Sequence, residues 1–367
     1  MQKEQFQRAL YEIGLQPGDV AFMHSSHEHL AALGMPALQI IESLCAAVGE
    51  RGTVAMPTFP KERLFHFLKE DRDLDQHPVF DCQRTPSYSG LLTELFRRLP
   101  GTERSLHPTH PIAAHGADAD WITADHQSGH TPFDKVSPFQ KLLERDACIV
   151  RIGRFKQGAM TIRHLADHMF QQYIPYPVYS RTAARVRVID KHGLELTVST
   201  RVLNQDISCN HLDLIDVLTK EGLMATTSVV GVPLSLIHAE TYINAYHSYY
   251  KQGLIRHYPR SKTQHALVER TMNSRGGSLK QRLKAILVEQ ASDTVRENDI
   301  HDNMSLYGIG LALDSVGIVS LVSRLESEFD VFFESEEIAA GLDTFGAFLR
   351  VIQKKLHQNQ DYSQHND

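Results

Sequence analysis

Two stretches carry residues whose type and spacing could do chemistry. In "TIRHLADHMF", His164 and Asp167 stand three apart, so on a helix they share a face. Imidazole is the side chain that titrates near neutral pH, and a carboxylate beside it holds one tautomer and steadies the imidazolium that forms on proton uptake. The pair therefore reads as a general base and its support. His168 stands four from His164, the spacing of metal-binding helix pairs. No glutamate follows His164 directly and no third ligand stands out, so no metal is expected.

The second stretch is "LALDSVGIVSLVSRLESEFDV". Ile318, Val322, Leu325 and Phe329 recur at spacings of four, three and four, which lays one apolar stripe on a helix. Asp314 is a good N-cap, so Ser315 falls in the first turn, where outward N–H groups and the helix dipole favour a negative group. A phosphodiester on Ser315 would find its anion site already built. From Asp314 to Asp343 there are eight acidic residues against one arginine, so this region is strongly negative. Taken alone, Asp-Ser reads first as a plain capping dipeptide.

The elements that must position these residues follow two grammars. Up to about residue 260, apolar β-rich runs alternate with helical spacing. "DVAFMHSS" and "GTVAMPTF" read as strands around the helix "MPALQIIESLCAAVG", whose glycine marks a C-cap. "SGLLTELFRRLPG" reads as a helix with Ser89 as N-cap. "SPFQKLLERDACIVRIG" is a helix then a strand, and "AARVRVIDKHGLELTVSTRV" a hairpin. "ATTSVVGVPLSLIHAETYINAYHSYY" is one more strand and a long helix. The pattern predicts an α/β domain, a layered mixed sheet with flanking helices, over residues 1–260. Residues 261–278 are polar and turn-rich, a linker. Residues 279–358 show helical spacing only, a small four-helix bundle, and 359–367 read as a disordered tail.

Bulk properties agree with a soluble two-domain protein: 367 residues, 42% hydrophobic and 22% charged. A net charge of −6 gives no reason to expect nucleic acid or an anionic membrane as partner. The N-terminus reads as an amphipathic helix rather than a signal peptide, and no apolar run is long enough to span a bilayer. Four scattered cysteines suggest free thiols and a cytoplasmic setting.

Over residues 5–255 the blocks "GDVAFMHSS", "GTVAMPTF", "TPSYSGLLTELFRRLPGTERSLHPTHPIAAHG", "SPFQKLLERDACIVRIG" and "MTIRHLADH" follow one another as in aminoglycoside 3-N-acetyltransferases, with "RSLHPTHPIAAHG" the most specific. The resemblance implies transfer of an acetyl group from coenzyme A to an amine. It makes His164 the general base that keeps that amine neutral, with Asp167 standing where the family more often has glutamate. It implies that the turn His24-Ser25-Ser26 lies near the pantetheine and acyl group, where backbone N–H groups would receive the thioester oxygen. His107, Thr109 and His110 of "HPTH" would line the cleft. The acidic run Glu70, Asp71, Asp73 and Asp75 is either an attractor for a cationic amine or a solvated loop.

The C-terminal stretch "NMSLYGIGLALDSVGIVSLVSRLESEFDV" with "TFGAFLRVIQKKL" resembles an acyl carrier protein. Val316 replaces a commoner leucine, and Ala312-Leu313 a commoner glycine-containing lead-in. The resemblance implies a covalent 4′-phosphopantetheine on Ser315, added by a phosphopantetheinyl transferase and charged by an acyl-loading ligase or synthase. Joined, the two resemblances suggest an N-acyltransferase that moves an acyl group from its own carrier to an amine-bearing small molecule, such as an amino sugar or aminocyclitol, in biosynthesis. One alternative is an acetyl-coenzyme A-dependent aminoglycoside acetyltransferase of antibiotic resistance. Another is a carrier and docking module with an inactive transferase domain. A homo-oligomer is compatible with each.

Overall fold

The computed structural model describes residues 2–26, 30–61, 79–153, 160–204, 206–209, 214–259, 278–290, 296–306, 311, 313–329, 331–341 and 343–364. The chain divides into two compact units, Met1–Arg260 and Ser261–Asp367. The acidic run at 70–75 and all of the expected linker but Ser278 lie outside the described residues.

The first unit begins with α1 (Gln2–Glu12), β1 (Val20–Ser25), α2 (Ala37–Val48) and β2 (Thr53–Pro57). Next come β3 (Phe80–Asp81), α3 (Leu91–Arg97), β4 (Glu103–Arg104) and β5 (Ile112–Gly116). Then follow α4 (Ala119–Thr123), α5 (Pro138–Glu144), β6 (Cys148–Ile152) and α6 (Arg163–Met169). β7 (Ala184–Ile189), β8 (Glu195–Thr200), β9 (Ile207–Cys209) and α7 (Leu214–Lys220) lead on to β10 (Ala225–Val229), β11 (Val232–His238), α8 (Ala239–Lys251) and β12 (His257–Pro259).

Among the described residues seven strands form one mixed sheet, in the order β10-β11-β6-β1-β2-β5-β4. β1 is central and parallel to β2 and β6, whereas β5 and β11 run antiparallel to their inner neighbours. A central strand covered on two faces should be apolar throughout, and Ala21, Phe22 and Met23 are fully buried. Val20 and Phe22 share a core with Phe139 of α5, Leu165 of α6 and Tyr242 and Tyr246 of α8. Strand alternation turns Ala21 and Met23 the other way. α1 packs on α2, and α2 on α3. The layered α/β expectation is met. Truncating Phe22 to alanine in such a core would cost about 3–5 kcal/mol.

Where β2 and β5 meet, Gly116 has φ +125°, and a Cβ there would stand 2.3 Å from the Gly52 carbonyl oxygen. Only glycine fits so close a backbone approach.

Local details differ from the sequence reading in two places. The stretch 225–238 is a hairpin, β10 with β11, and not a single strand. Its turn is Val230-Gly231, with φ of 51° and 79°; a β-branched residue in that conformation hides the usual Asn-Gly signal. Ser89 does not cap α3: Gly90 holds that position, and the Ser89 hydroxyl accepts from the Phe59 N–H. The hairpin β7–β8 forms where expected and takes β3 on its edge. β9 and β12 pair as a separate two-stranded ribbon, with Cys209 opposite His257.

In the second unit, α9 (Leu279–Gln290) packs on α10 (Ser315–Phe329), and α11 (Ser335–Gly341) on α12 (Phe345–Gln364). Ile318, Val322 and Leu325 are buried, as the stripe requires. The last helix continues past residue 358 to Gln364.

No helix among the described residues is long and apolar enough to cross a membrane. All four cysteines are free thiols.

Candidate functional site

α6 is a short helix whose entry is tied to the central strand. The Thr161 N–H donates to His24 Nε2 at 3.1 Å, and the Thr161 hydroxyl lies 2.9 Å from the same nitrogen. Burial, with Arg151 nearby, pushes the His24 pKa down to about 3, so its imidazole is neutral and can accept. His24 thus anchors the start of α6 rather than facing a ligand. The turn after it is also committed, because the Ser26 N–H donates to the Ile152 carbonyl at 2.8 Å. Ser25 ends β1 in register with Ile152 of β6. In this arrangement the Ser26 amide is not available to a thioester oxygen, contrary to the expectation for this turn.

On α6, Nδ1 of His164 stands 3.8 Å from Oδ2 of Asp167. Both side chains line a cleft of about 100 Å³ with Arg163, Asn204, Ser208, Cys209 and His257. Asp167 is the centre of the polar chemistry. Its Oδ1 accepts from the Tyr250 hydroxyl at 2.5 Å and lies 3.5 Å from His257 Nε2. Burial pushes the Asp167 pKa up, but His257, Arg163 and His164 outweigh it, so the carboxyl is held below its ordinary value. The Tyr250 pKa is raised, by burial first and then by Asp167, so its hydroxyl stays protonated and donates. Arg163 Nη1 donates to Cys209 Sγ at 2.8 Å, which joins α6 to β9.

His107, Thr109 and His110 do not line this cleft but lie buried. His107 Nδ1 accepts the Thr109 and His110 N–H groups, each at 3.3 Å, and its Nε2 lies 3.1 Å from Thr200 Oγ1. The trio locks the turn around Pro108 onto β8. Only His110 approaches the site, edge-on to the His164 ring with centroids 6.1 Å apart.

His168 turns elsewhere, its Nδ1 2.8 Å from the Tyr179 hydroxyl. Among the described residues no group of three or more His, Cys, Asp or Glu could hold a metal ion.

Three site residues escaped the sequence reading. Tyr250 stands with Tyr242 and Tyr246 at helical spacing, a signal that was visible as a core stripe but not as a contact to Asp167. His257 and Cys209 arrive on a short ribbon with no periodicity to betray it.

In the second unit, Asp314 Oδ1 accepts from the Gly317 N–H at 2.7 Å, so Asp314 caps α10 and Ser315 lies in the first turn. Ser315 is only 7% exposed.

The family model for aminoglycoside 3-N-acetyltransferase matches residues 22–251. The chain is 31% identical over 224 residues to aminoglycoside N(3)-acetyltransferase IV of Salmonella sp, covering 60% of this chain and 76% of that protein. It is 26% identical over 165 residues to aminoglycoside N(3)-acetyltransferase III of Serratia marcescens, covering 43% of this chain and 61% of that protein. Among solved structures, AAC-IIIb in binary complex with CoASH shares the fold at TM-score 0.57 and 23% identity, over 69% of this chain and 97% of that one. The apoenzyme of AAC(3)-IVa superposes at TM-score 0.51 and 26% identity, over 69% of this chain and 89% of that one.

Proposed function

The chain belongs to the aminoglycoside 3-N-acetyltransferase family, whose model spans residues 22–251, and we propose on that footing that it is an N-acyltransferase taking an acetyl group from coenzyme A to an amine of an aminoglycoside or related amino compound. One observation carries this reading: a His–Asp pair on one helix, His164 Nδ1 3.8 Å from a buried Asp167 carboxylate, at the wall of an open cleft.

With Asp167 facing Nδ1, the proton rests there and the basic lone pair sits on Nε2. An alkylamine is mostly protonated at neutral pH and cannot attack. Once one proton has left to solvent, His164 takes a second from the nitrogen as it adds to the thioester carbon. The C–N bond forms, the C–S bond breaks, and the proton passes to the leaving thiolate, leaving an amide and free coenzyme A. The aminoglycoside N(3)-acetyltransferase relatives and the CoASH-bound structural neighbour support this donor and acceptor.

The experiment is acetyl-coenzyme A with a panel of aminoglycosides, following thiol release and the mass of the product. Acetylated amine with the parent chain, and none with His164→Ala, is the expected result. A panel left unmodified by the parent chain removes the reading.

A second reading keeps a donor on the protein itself. Ser315 in the capped first turn of α10 is chemically suited to carry a 4′-phosphopantetheine, supplied by a phosphopantetheinyl transferase and loaded by a ligase or synthase, and its 7% exposure requires that turn to open for modification. Intact mass after co-expression with such a transferase decides it: no mass gain, or a gain retained in Ser315→Ala, rejects Ser315 as the attachment point.

A further inference from the structure

The family match ends at residue 251, and the ribbon strand β12 lies beyond it. That strand delivers an imidazole to the carboxylate of the candidate site. His257 Nε2 is 3.5 Å from Asp167 Oδ1, while His164 Nδ1 is 3.8 Å from Oδ2, so one carboxylate sits between two histidines. The His257 side chain is 8% exposed and its ring is stacked on Tyr250, centroids 5.8 Å apart and planes 12° from parallel. Its Nδ1 meets no hydrogen-bond partner among the described residues. Asp167 and the Tyr250 ring are thus its specific contacts, and Tyr250 itself donates to Oδ1.

We infer that His257 is a positioning residue for the proposed acyl transfer: with Tyr250 it occupies Oδ1 of Asp167, leaves Oδ2 to His164, and so couples the protonation of the two imidazoles through one carboxylate. The inference rests on the acyltransferase reading for its catalytic meaning, but not for the coupling itself.

The other ionisable groups near the pair do not substitute for it. Arg163, on the same helix, keeps its charge. Tyr246 and Tyr250 on α8 and Cys209 on β9 have pKa values raised by burial and stay neutral. His110 is pushed well below its ordinary value by burial and then by His164, and also stays neutral. His257, 3.5 Å from the other carboxylate oxygen, is the group that faces His164 across Asp167. A proton on His257 opposes one on His164, and even a neutral donor to Oδ1 weakens the pull of the carboxylate on the other ring. Both effects have one sign: removing His257 makes His164 easier to protonate.

The test is a histidine NMR titration of the full chain, with the His164 resonance assigned by its loss in His164→Ala. In His257→Phe the His164 midpoint rises by about one pH unit. In His257→Gln, which keeps a donor near the same place, it moves less than half as far. Where transfer is measured, His257→Phe shifts the acid limb of kcat upward with KM unchanged, and His257→Gln restores most of the rate. A purely structural role would lower thermal stability and leave both the midpoint and the acid limb in place, which overturns the inference. Should His257→Phe fail to fold, the reciprocal measurement decides: in His164→Ala the His257 midpoint rises by a similar amount, and an unmoved midpoint overturns the coupling. A parent chain that transfers nothing defeats the proposed function, while the titration still judges the coupling.

Discussion

Lowering the pH should unfold the first unit well before the carboxylates alone would. His24, His107, His110 and His126 are all buried. Each is held neutral by its surroundings: the pKa values of His24 and His126 fall from 6.5 to about 3, and those of His107 and His110 fall well below 6.5, burial being the largest cause in each. His126 shows why. Its Nε2 lies 3.0 Å from the Pro132 carbonyl, which can only accept, so Nε2 carries the proton. Nδ1, 2.9 Å from Ser105 Oγ, is then the acceptor. A second proton would sit on a fully buried ring.

In the unfolded chain all four titrate near 6.5, so between that value and the folded ones the unfolded state binds more protons. Stability is then complete above 6.5 and drains as pH falls toward the folded pKa values. Each group removes up to about 1.4 kcal/mol per pH unit, so His24 and His126 together remove about 3 per unit, and His107 and His110 add to the slope in the same direction. By pH 5 His24 and His126 alone should remove about 4 kcal/mol of a typical reserve of about 10. The Glu94 carboxyl, brought down to about 2 by Arg97 and Arg98 against the opposing cost of burial, adds its loss only below about 4.5. The assay is urea unfolding at pH 7.5, 6.0 and 5.0, read by fluorescence of Trp121, the single tryptophan, which lies in the first unit. A stability that is flat within about 1 kcal/mol from pH 7 to 5 would falsify the neutral-histidine account. His126→Gln should flatten the slope by about one proton's worth.

Other substitutions test other contacts. His164→Ala should cost about 10²–10⁴-fold in kcat with little change in KM for coenzyme A thioester, measured by thiol release. Tyr250→Phe removes the hydrogen bond to a buried carboxylate and should destabilise by about 1.5–3 kcal/mol in denaturant titration. Glu94→Gln leaves Arg97 and Arg98, side chains 1% and 0% exposed, without their counter-charge, and should cost about 3–5 kcal/mol on the same assay. Gly116→Ala drives a Cβ into the Gly52 carbonyl at 2.3 Å and should lower Tm by several degrees or prevent soluble expression.

Local order was legible where local spacing decides it. The three-residue interval of His164 and Asp167, the Asp314 cap of α10, the apolar run of β1 and the β7–β8 hairpin follow from side-chain periodicity and short-range hydrogen bonding, which act within a few residues. The partners of Asp167 do not. Tyr250 and His257 lie 83 and 90 positions away along the chain and meet it only because α8 packs on α6 and β12 pairs with β9. The Pro108 turn shows the converse. Its histidines have the right chemistry for a cleft, yet Thr200 of β8 and two backbone amides take the His107 nitrogens, the Thr109 hydroxyl meets His110 Nδ1, and packing buries both rings. Residue type says what a side chain could do; which atoms remain for a ligand is settled by neighbours brought from far along the chain, because burial and hydrogen-bond saturation are properties of the assembled layers.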